Sequence, residues 1–235
     1  MIRECEDHGY FRADICPLCG EEGKFIMSDK EIERIGRTLA AILRHGKFDP
    51  DMDDQGYVSI QEIVSLIRAR HTYMNWLRPR HIEALEETDP KGRYSIANGR
   101  VHATYGHTIP LELRLDNQNI PPELFYPVDP QDVEDVLRDG IAPSDRNMVH
   151  LSLTFRDALR AGSVRMDEPV VLMIDTGMCM EMGADIGKAA KTVFLCRNVP
   201  SDAIDVADPE DWDTDEASDD EEEDLRWSRY SGRTR

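Results

Sequence analysis

Four side chains near the N-terminus have the types and spacing of a metal site: Cys5, His8, Cys16 and Cys19, set out as Cys-x2-His-x7-Cys-x2-Cys and followed by Gly20. Three thiolates and an imidazole in two short pairs suit tetrahedral zinc. With all four positions filled, no place is left for a reactive water, which makes such a zinc structural. A segment this short buries too little apolar surface to fold alone, so a metal crosslink gives it a physical reason to be ordered. The chain has five cysteines, and the other two, Cys179 and Cys196, lie far away among apolar neighbours. That distribution argues against a disulfide framework.

A second set of side chains could bind an anion. Arg44-His45 closes an apolar helical pattern, Arg93 opens a predicted strand, and Arg165 follows Ala161-Gly162-Ser163. Each stands at an element boundary, where sites are commonly built. Three guanidiniums and an imidazole could surround a phosphate, because the planar fork of Arg matches two phosphate oxygens at once. On pattern alone, ordinary surface cations are the commoner reading. His107 in Gly106-His107-Thr108 and His150 in Val149-His150-Leu151-Ser152 could orient a polar ligand at strand ends, although a satisfied structural histidine is the commoner reading of either alone. The sequence has no Walker-type glycine loop, Rossmann Gly-x-Gly-x-x-Gly, His-Glu-x-x-His or Gly-x-Ser-x-Gly. The usual nucleotide loops, zinc proteases and serine hydrolases are thereby set aside.

The elements that must position these residues are legible in part. Ser28-Asp29-Lys30-Glu31 is a capping box that predicts a helix from Asp29, with Ile32, Ile35, Leu39 and Ile42 at helical spacing and Gly46 as its stop. Arg44 and His45 fall in its last turn. A second box, Ser59-Ile60-Gln61-Glu62, opens the run Ile63, Leu66, Ile67. A third helical pattern follows Pro79 through His81, Ile82 and Leu85 and ends at Asp89-Pro90. Two short β patterns then flank Asn98-Gly99, a dipeptide that favours the positive φ angles of a tight hairpin. Three helices and a hairpin resemble a winged helix. Beyond about Leu113, β-branched runs at 149–153, 170–174 and 192–196 predict strands, with one helix expected at 154–161. The fold class expected is α+β.

Of the 235 residues, 47 are acidic and 28 basic, a formal charge of −19. Thirteen of the acids lie within 205–224 with no basic residue among them, so most of the excess sits there and the rest of the chain is only mildly acidic. The total is therefore no argument against nucleic acid. Residues 205–235 carry too many like charges to offset the entropy of ordering, and a disordered tail is expected. No apolar run approaches the ~20 residues of a membrane helix, and the first residues lack the apolar core of a secretory signal. A soluble, cytoplasmic monomer with no membrane partner is the expectation. The divisions are a zinc-binding module at 1–27, a winged-helix-like lobe at 28–112, a mixed α/β lobe at 113–204 and the acidic tail at 205–235.

Taken in order, Leu43-Arg44-His45, Gly56-Tyr57-Val58, Gly92-Arg93-Tyr94, Asn98-Gly99-Arg100-Val101, Gly106-His107-Thr108 and Val149-His150-Leu151-Ser152 resemble the RNA 2′-phosphotransferase family. The resemblance covers roughly 29–204, and the zinc module is similar to an extension of archaeal members. It implies an ADP-ribosyltransferase-like second lobe and an enzyme that moves an internal 2′-phosphate of RNA, typically at a tRNA splice junction, onto NAD. In the first implied step the 2′-phosphate attacks the ribose carbon that bears nicotinamide, which leaves. In the second, the adjacent 2″-hydroxyl attacks that phosphate, giving 2′-hydroxyl RNA and ADP-ribose 1″,2″-cyclic phosphate. By the same resemblance Arg44, His45, Arg93 and Arg165 are the catalytic residues, and Gly106, His107, Thr108, Tyr126, His150, Ser152 and Gly162 bind NAD. The chain departs from the family at Tyr126-Pro127-Val128, where His-Gly-Thr is usual, at Thr108, where Ser is usual, and at His102, where Arg is common. The alternatives are an ADP-ribosyltransferase that stops after the first step and a zinc-ribbon, winged-helix DNA-binding regulator, which leaves the second lobe unexplained.

Overall fold

The computed structural model of the protein describes residues 1–209. Strands β1 (Ile2–Cys5), β2 (Gly9–Phe11) and β3 (Lys24–Met27) form an antiparallel sheet in the order β2-β1-β3. Ile2, Ile26 and Met27 turn inward and join the core of the helices that follow. The N-terminal module is thus anchored by apolar burial as well as by its Cys/His cluster.

Helix α1 (Asp29–His45) begins and ends where its sequence signals place it. The Glu31 carboxylate accepts the Ser28 backbone N–H at 2.8 Å and the Ser28 hydroxyl at 2.7 Å. Gly46 closes the helix at φ 63, a left-handed conformation that costs glycine little. Strand β4 (Val58–Ser59), α2 (Ile60–Arg70), α3 (Pro79–Glu87), β5 (Tyr94–Ala97) and β6 (Arg100–Ala103) follow, the strands pairing antiparallel in the order β4-β6-β5. Asn98 and Gly99 make the expected turn with φ of 51 and 74. The second capping box does not close. Ser59 is held in β4 opposite Arg100, the Ile60 N–H goes to the Gly99 carbonyl, and the Glu62 carboxylate instead takes the Asp51 N–H at 2.7 Å. One core, including Ile35, Leu39, Ile42, Ile63, Ile67, Leu77 and Ile82, unites these helices with the small sheet.

The second half contains β7 (Glu123–Val128), α4 (Val133–Asp139), β8 (Val149–Ser152), α5 (Phe155–Gly162), β9 (Val170–Asp175), α6 (Thr176–Glu181), β10 (Gly187–Lys188), β11 (Val193–Cys196) and β12 (Ile204–Val206). The strands build a six-stranded antiparallel sheet, β10-β11-β8-β7-β9-β12. Strand β7 lies at its centre although Pro127 made it unreadable as a strand. It meets β8 only at Phe125–Ser152 and pairs with β9 along its whole length. Pro127 lies two residues beyond Phe125, where the ladder to β8 has already ended, so a missing donor costs no bond on that side. Thr154 caps α5, its Oγ1 accepting the Asp157 N–H at 3.1 Å.

The chain stays ordered past the expected start of the tail. Asp205 and Val206 pair with β9, and Ala207 is buried with its N–H on the Val171 carbonyl at 3.0 Å. An open edge of β9 and a small apolar contact outweigh the local charge there; residues 210–235 lie outside the described residues. Among the described residues, no helix is long and apolar enough to cross a membrane. The architecture is mixed α/β with antiparallel sheets.

Candidate active site and metal centre

The ligand atoms of Cys5, His8, Cys16 and Cys19 all lie within 4.8 Å of one another. Cys5 Sγ stands 3.4 Å from His8 Nδ1 and 3.7 Å from Cys19 Sγ, and Cys16 Sγ stands 3.6 Å from His8 Nδ1. A tetrahedral zinc has edges of roughly 3.8 Å between sulfurs and roughly 3.5 Å between sulfur and nitrogen, from bond lengths of about 2.3 and 2.0–2.1 Å. The residues fit such an ion, and the cluster could hold a metal. Phe11 is buried with Cys5 and Cys16 behind it.

Around Arg44 the geometry is unusually exacting. Its guanidinium lies over the Tyr105 ring, 4.9 Å from the centroid, and a Cβ at Gly106 would stand 3.2 Å from it. Only glycine, at φ +84, leaves that slot open. Arg44 Nε and Nη2 are buried with no hydrogen-bond partner. His45 Nδ1 stands 3.0 Å from the Thr108 hydroxyl, and the Thr108 N–H is bonded to the Arg44 carbonyl, so Thr108 fixes the end of α1. Arg93 is oriented by Asp89, which receives its N–H at 2.6 Å and its Nη2 at 2.7 Å. Burial works against the charge on Arg93, but the bonds and charge of Asp89 outweigh it and raise the pKa.

The Gly106 N–H donates to His150 Nε2 at 3.1 Å while His150 Nδ1 faces the Met148 carbonyl at 2.9 Å. That pair of partners assigns the proton to Nδ1. Burial first, then the charge of Arg146, holds the His150 pKa down to about 3; burial and the charge of Arg44 hold His107 at about 4. His107 is buried, and its Nε2 has no partner. His102 stacks on Tyr57 with centroids 4.1 Å apart, and burial lowers its pKa.

A cleft of about 1110 Å³ opens beside this cluster, lined among others by Tyr105, Tyr126, Arg146, His150, Ser152 and Arg165. Gly106 and His107 lie beneath it, against a small pocket of about 20 Å³. Gly162 stands outside the lining. A Cβ there would meet Pro127 at 2.7 Å and Pro169 at 2.9 Å, so it is a close-packing position, and its carbonyl accepts the Arg165 N–H at 2.9 Å. Arg165 extends to Asp145 at 3.0 Å, both side chains 58% exposed. Burial raises the Asp145 pKa, but Arg165 and then Arg146 more than reverse this, and the net shift is downward.

Arg146 is the residue that sequence reasoning missed. Burial lowers its pKa, and the charges of Arg165 and Arg44 lower it further, so it bridges the two electrostatically. Its signal was its place four residues before His150, at the start of the same strand-entering run. Arg44 and Arg93 both act on Tyr105, whose hydroxyl is raised by burial against their pull. Arg44 and Arg93 thus act on Tyr105, and Arg44 and Arg165 on Arg146; Tyr105, Arg146 and Arg165 line the cleft, whereas Arg44 and Arg93 stand behind that lining.

Comparison with known proteins shows similarity over most of the chain. Residues 30–198 match the family described as RNA 2′-phosphotransferase, Tpt1 / KptA family. A probable RNA 2′-phosphotransferase of Thermoplasma acidophilum is 40% identical over 216 residues, covering 89% of each chain. One of Methanosarcina barkeri is 33% identical over 206 residues, 87% of this chain and 98% of the relative. One of Pyrococcus horikoshii is 34% identical over 173 residues, 73% of this chain and 96% of the relative.

Proposed function

The chain belongs to the RNA 2′-phosphotransferase family, and from that premise we propose that it removes an internal 2′-phosphate from RNA, of the tRNA splice-junction kind, by transferring it to NAD. The observation that carries the reading is Arg44. A half-buried guanidinium with two buried, unpartnered nitrogens, held against Tyr105 and Gly106, is costly unless an anion completes it.

In this reading Arg44, His45 and Arg93 take the RNA 2′-phosphate, residues 28–112 forming a winged-helix-like lobe. Residues 113–204 form an ADP-ribosyltransferase-like lobe, in whose cleft Tyr126, His150 and Ser152 face the dinucleotide, with Gly106, His107 and Thr108 bracing the wall between the two. The cleft is of the size that small-molecule sites reach. NAD would supply the acceptor: its ribose carbon takes the 2′-phosphate as nicotinamide leaves, and its adjacent hydroxyl then takes the phosphoryl group from the RNA. The protein contributes no nucleophile. Its cations bring a phosphate dianion and a pyrophosphate together, a placement otherwise repulsive, and Arg165 supports charge at the phosphorus in the second transfer. Gly162 aims Arg165 through its carbonyl. His45, held by Thr108, is placed to move a proton at the phosphate. The Cys/His cluster takes structural zinc. A DNA-binding reading fits less well, because on the α2 face Arg68 is bonded to the Leu77 carbonyl and Arg70 lies over the Phe48 ring.

The test is to mix the protein with NAD and an RNA carrying one internal 2′-phosphate. Release of nicotinamide with loss of the phosphate is expected. A stable ADP-ribosyl adduct means the enzyme stops after the first step, and no NAD turnover with sequence-specific duplex binding overturns the reading.

A further inference from the structure

The N-terminal module does more than cap the helices. Arg12, in the segment between Phe11 and the ligand Cys16, lines the large cleft together with Pro90 and Lys91. Its Nε donates to the Thr88 hydroxyl at 3.2 Å, and nearby the Tyr10 N–H reaches the Glu87 carboxylate at 3.4 Å. Both contacts fall at the C-terminal end of α3, immediately before Asp89, the residue that orients Arg93. The loop 89–93 therefore carries Asp89, the cleft-lining Pro90 and Lys91, and Arg93 in sequence. Arg12 abuts its start from a different part of the chain.

We propose that Arg12 and Lys91 form a basic lip that binds the phosphodiester backbone of the RNA next to the 2′-phosphorylated nucleotide, so that the Cys/His module is part of the substrate-binding surface. This rests on the RNA reading of the same cleft. An internal 2′-phosphate has strand running away from it on both sides, and a site that seats it at Arg93 must pass that strand over the adjoining loop. Lys91 is exposed on that loop, and Arg12 is the cleft residue contributed by the module beside it. Both are cations, and the wall beyond adds Arg156 and Arg160. The partner that fits is a polyanionic strand in single-stranded form, held as phosphate charge rather than read as bases. Phe11, packed with Cys5 and Cys16, fixes the backbone one residue before Arg12, which ties the lip to the integrity of the cluster.

The test compares two RNAs with the same 2′-phosphate, a dinucleotide and a strand of about twenty nucleotides, measuring KM for each, KM for NAD, and binding of the longer RNA without NAD by fluorescence anisotropy. Arg12→Ala is expected to weaken binding of the longer RNA about five- to tenfold and to lower the preference for it over the dinucleotide by the same factor. The slope of log affinity against log salt should fall by about 0.7, one phosphate's worth. Lys91→Ala, on an exposed loop, should act in the same direction even if Arg12→Ala perturbs the module. Equal losses on both RNAs, or an unchanged preference in both variants, overturn the lip and leave Arg12 as a fastener between the module and α3. A wild-type protein that turns over neither RNA overturns the functional reading beneath it, and the lip with it. Metal content and melting temperature, measured alongside, are expected to match wild type in Lys91→Ala.

Discussion

The carboxylate of Asp89 is fully buried and is committed to Arg93, receiving its backbone N–H at 2.6 Å, its Nε at 3.1 Å and its Nη2 at 2.7 Å. One edge of the guanidinium is therefore fixed, and the other is left for a ligand. Asp89→Asn keeps the shape but removes the charge and one acceptor. We expect kcat/KM for the phosphorylated RNA to fall about 10- to 100-fold, through a misdirected Arg93, with KM for NAD little changed. Asp89→Ala, which strands a half-buried cation, should in addition cost about 3 kcal/mol of stability by denaturant melts. Equal effects of both variants on RNA and NAD kinetics would count against the positioning role.

Gly106 supports a sharper mutational test. Alanine there faces a φ of +84 and a Cβ 3.2 Å from the Arg44 guanidinium. The backbone penalty is about 1 kcal/mol, which a domain of this size tolerates, whereas displacing Arg44 by a few tenths of an ångström disturbs the phosphate seat directly. Gly106→Ala is expected to melt only a few degrees below wild type and yet lose most of its affinity for a 2′-phosphorylated RNA. The measurement is the ratio of binding constants for that RNA and its 2′-hydroxyl counterpart. A ratio unchanged from wild type would refute the assignment of Arg44.

Much of this arrangement was legible beforehand, and the rest was hidden for physical reasons. Helix α1 could be read end to end because the Glu31 half of its cap and the Gly46 stop are local devices that act whatever the surroundings. The Ser59 box has the same letters but is overruled, since Ser59 is recruited into a strand by Arg100 and Glu62 by Asp51. Strand β7 was unreadable because Pro127 is tolerated only by virtue of where β8 ends, a tertiary fact. In the site, Arg44 and Arg93 announce themselves at element ends. Arg146 acquires its place only when β8 brings the residues before His150 against Gly106, and Gly162 is explained by Pro127 and Pro169, one 35 residues earlier in the chain and the other across a turn.

Two histidines beside the cleft, His107 buried and His150 half-buried, make stability acid-sensitive. His107 and His150 have pKa values of about 4 and about 3, lowered from an ordinary value near 6.5 chiefly by burial. The unfolded chain therefore takes up their protons first. Their contribution is complete above pH 6.5 and declines as pH falls from there toward 4 and 3. At about 1.4 kcal/mol per pK unit, the pair accounts for a loss of several kcal/mol across that window. Thermal melts from pH 7 to pH 4 should show the decline, and His107→Gln should flatten it; a variant with the wild-type slope would sink the assignment.

Metal removal should act on the N-terminal module more than on the core. Ile2, Ile26 and Met27 remain packed against the helices whatever the cluster holds, while Phe11, Cys5 and Cys16 form a separate small group. Elemental analysis is expected to find about one zinc per chain, lost in Cys16→Ser, and cobalt substitution should give the absorption bands of a tetrahedral site with three sulfurs. Chelation should expose the segment between Phe11 and Cys19 to protease while the main melting transition moves by only a few degrees. A global collapse on chelation would show that the sheet anchor is insufficient.

Arg165 poses a question of competition, since it already has a partner in Asp145 at 3.0 Å. Both groups are 58% exposed, and such a pair contributes about 0.2–1 kcal/mol, whereas charge-assisted hydrogen bonds from the guanidinium fork to a phosphate dianion contribute about 1.5–3 kcal/mol. The phosphate should win, and Asp145 then serves to hold Arg165 near its working position without blocking it. Asp145→Asn is accordingly expected to change kcat by no more than a few-fold, while Arg165→Ala should slow the second transfer far more than the first and accumulate ADP-ribosylated RNA. Single-turnover reactions with labelled NAD resolve the two phases. Arg165→Lys should restore little, because an ammonium cannot offer two parallel donors to the phosphoryl oxygens; accumulation of adduct by Asp145→Asn as well would assign the second-step role to the ion pair instead of to Arg165 alone.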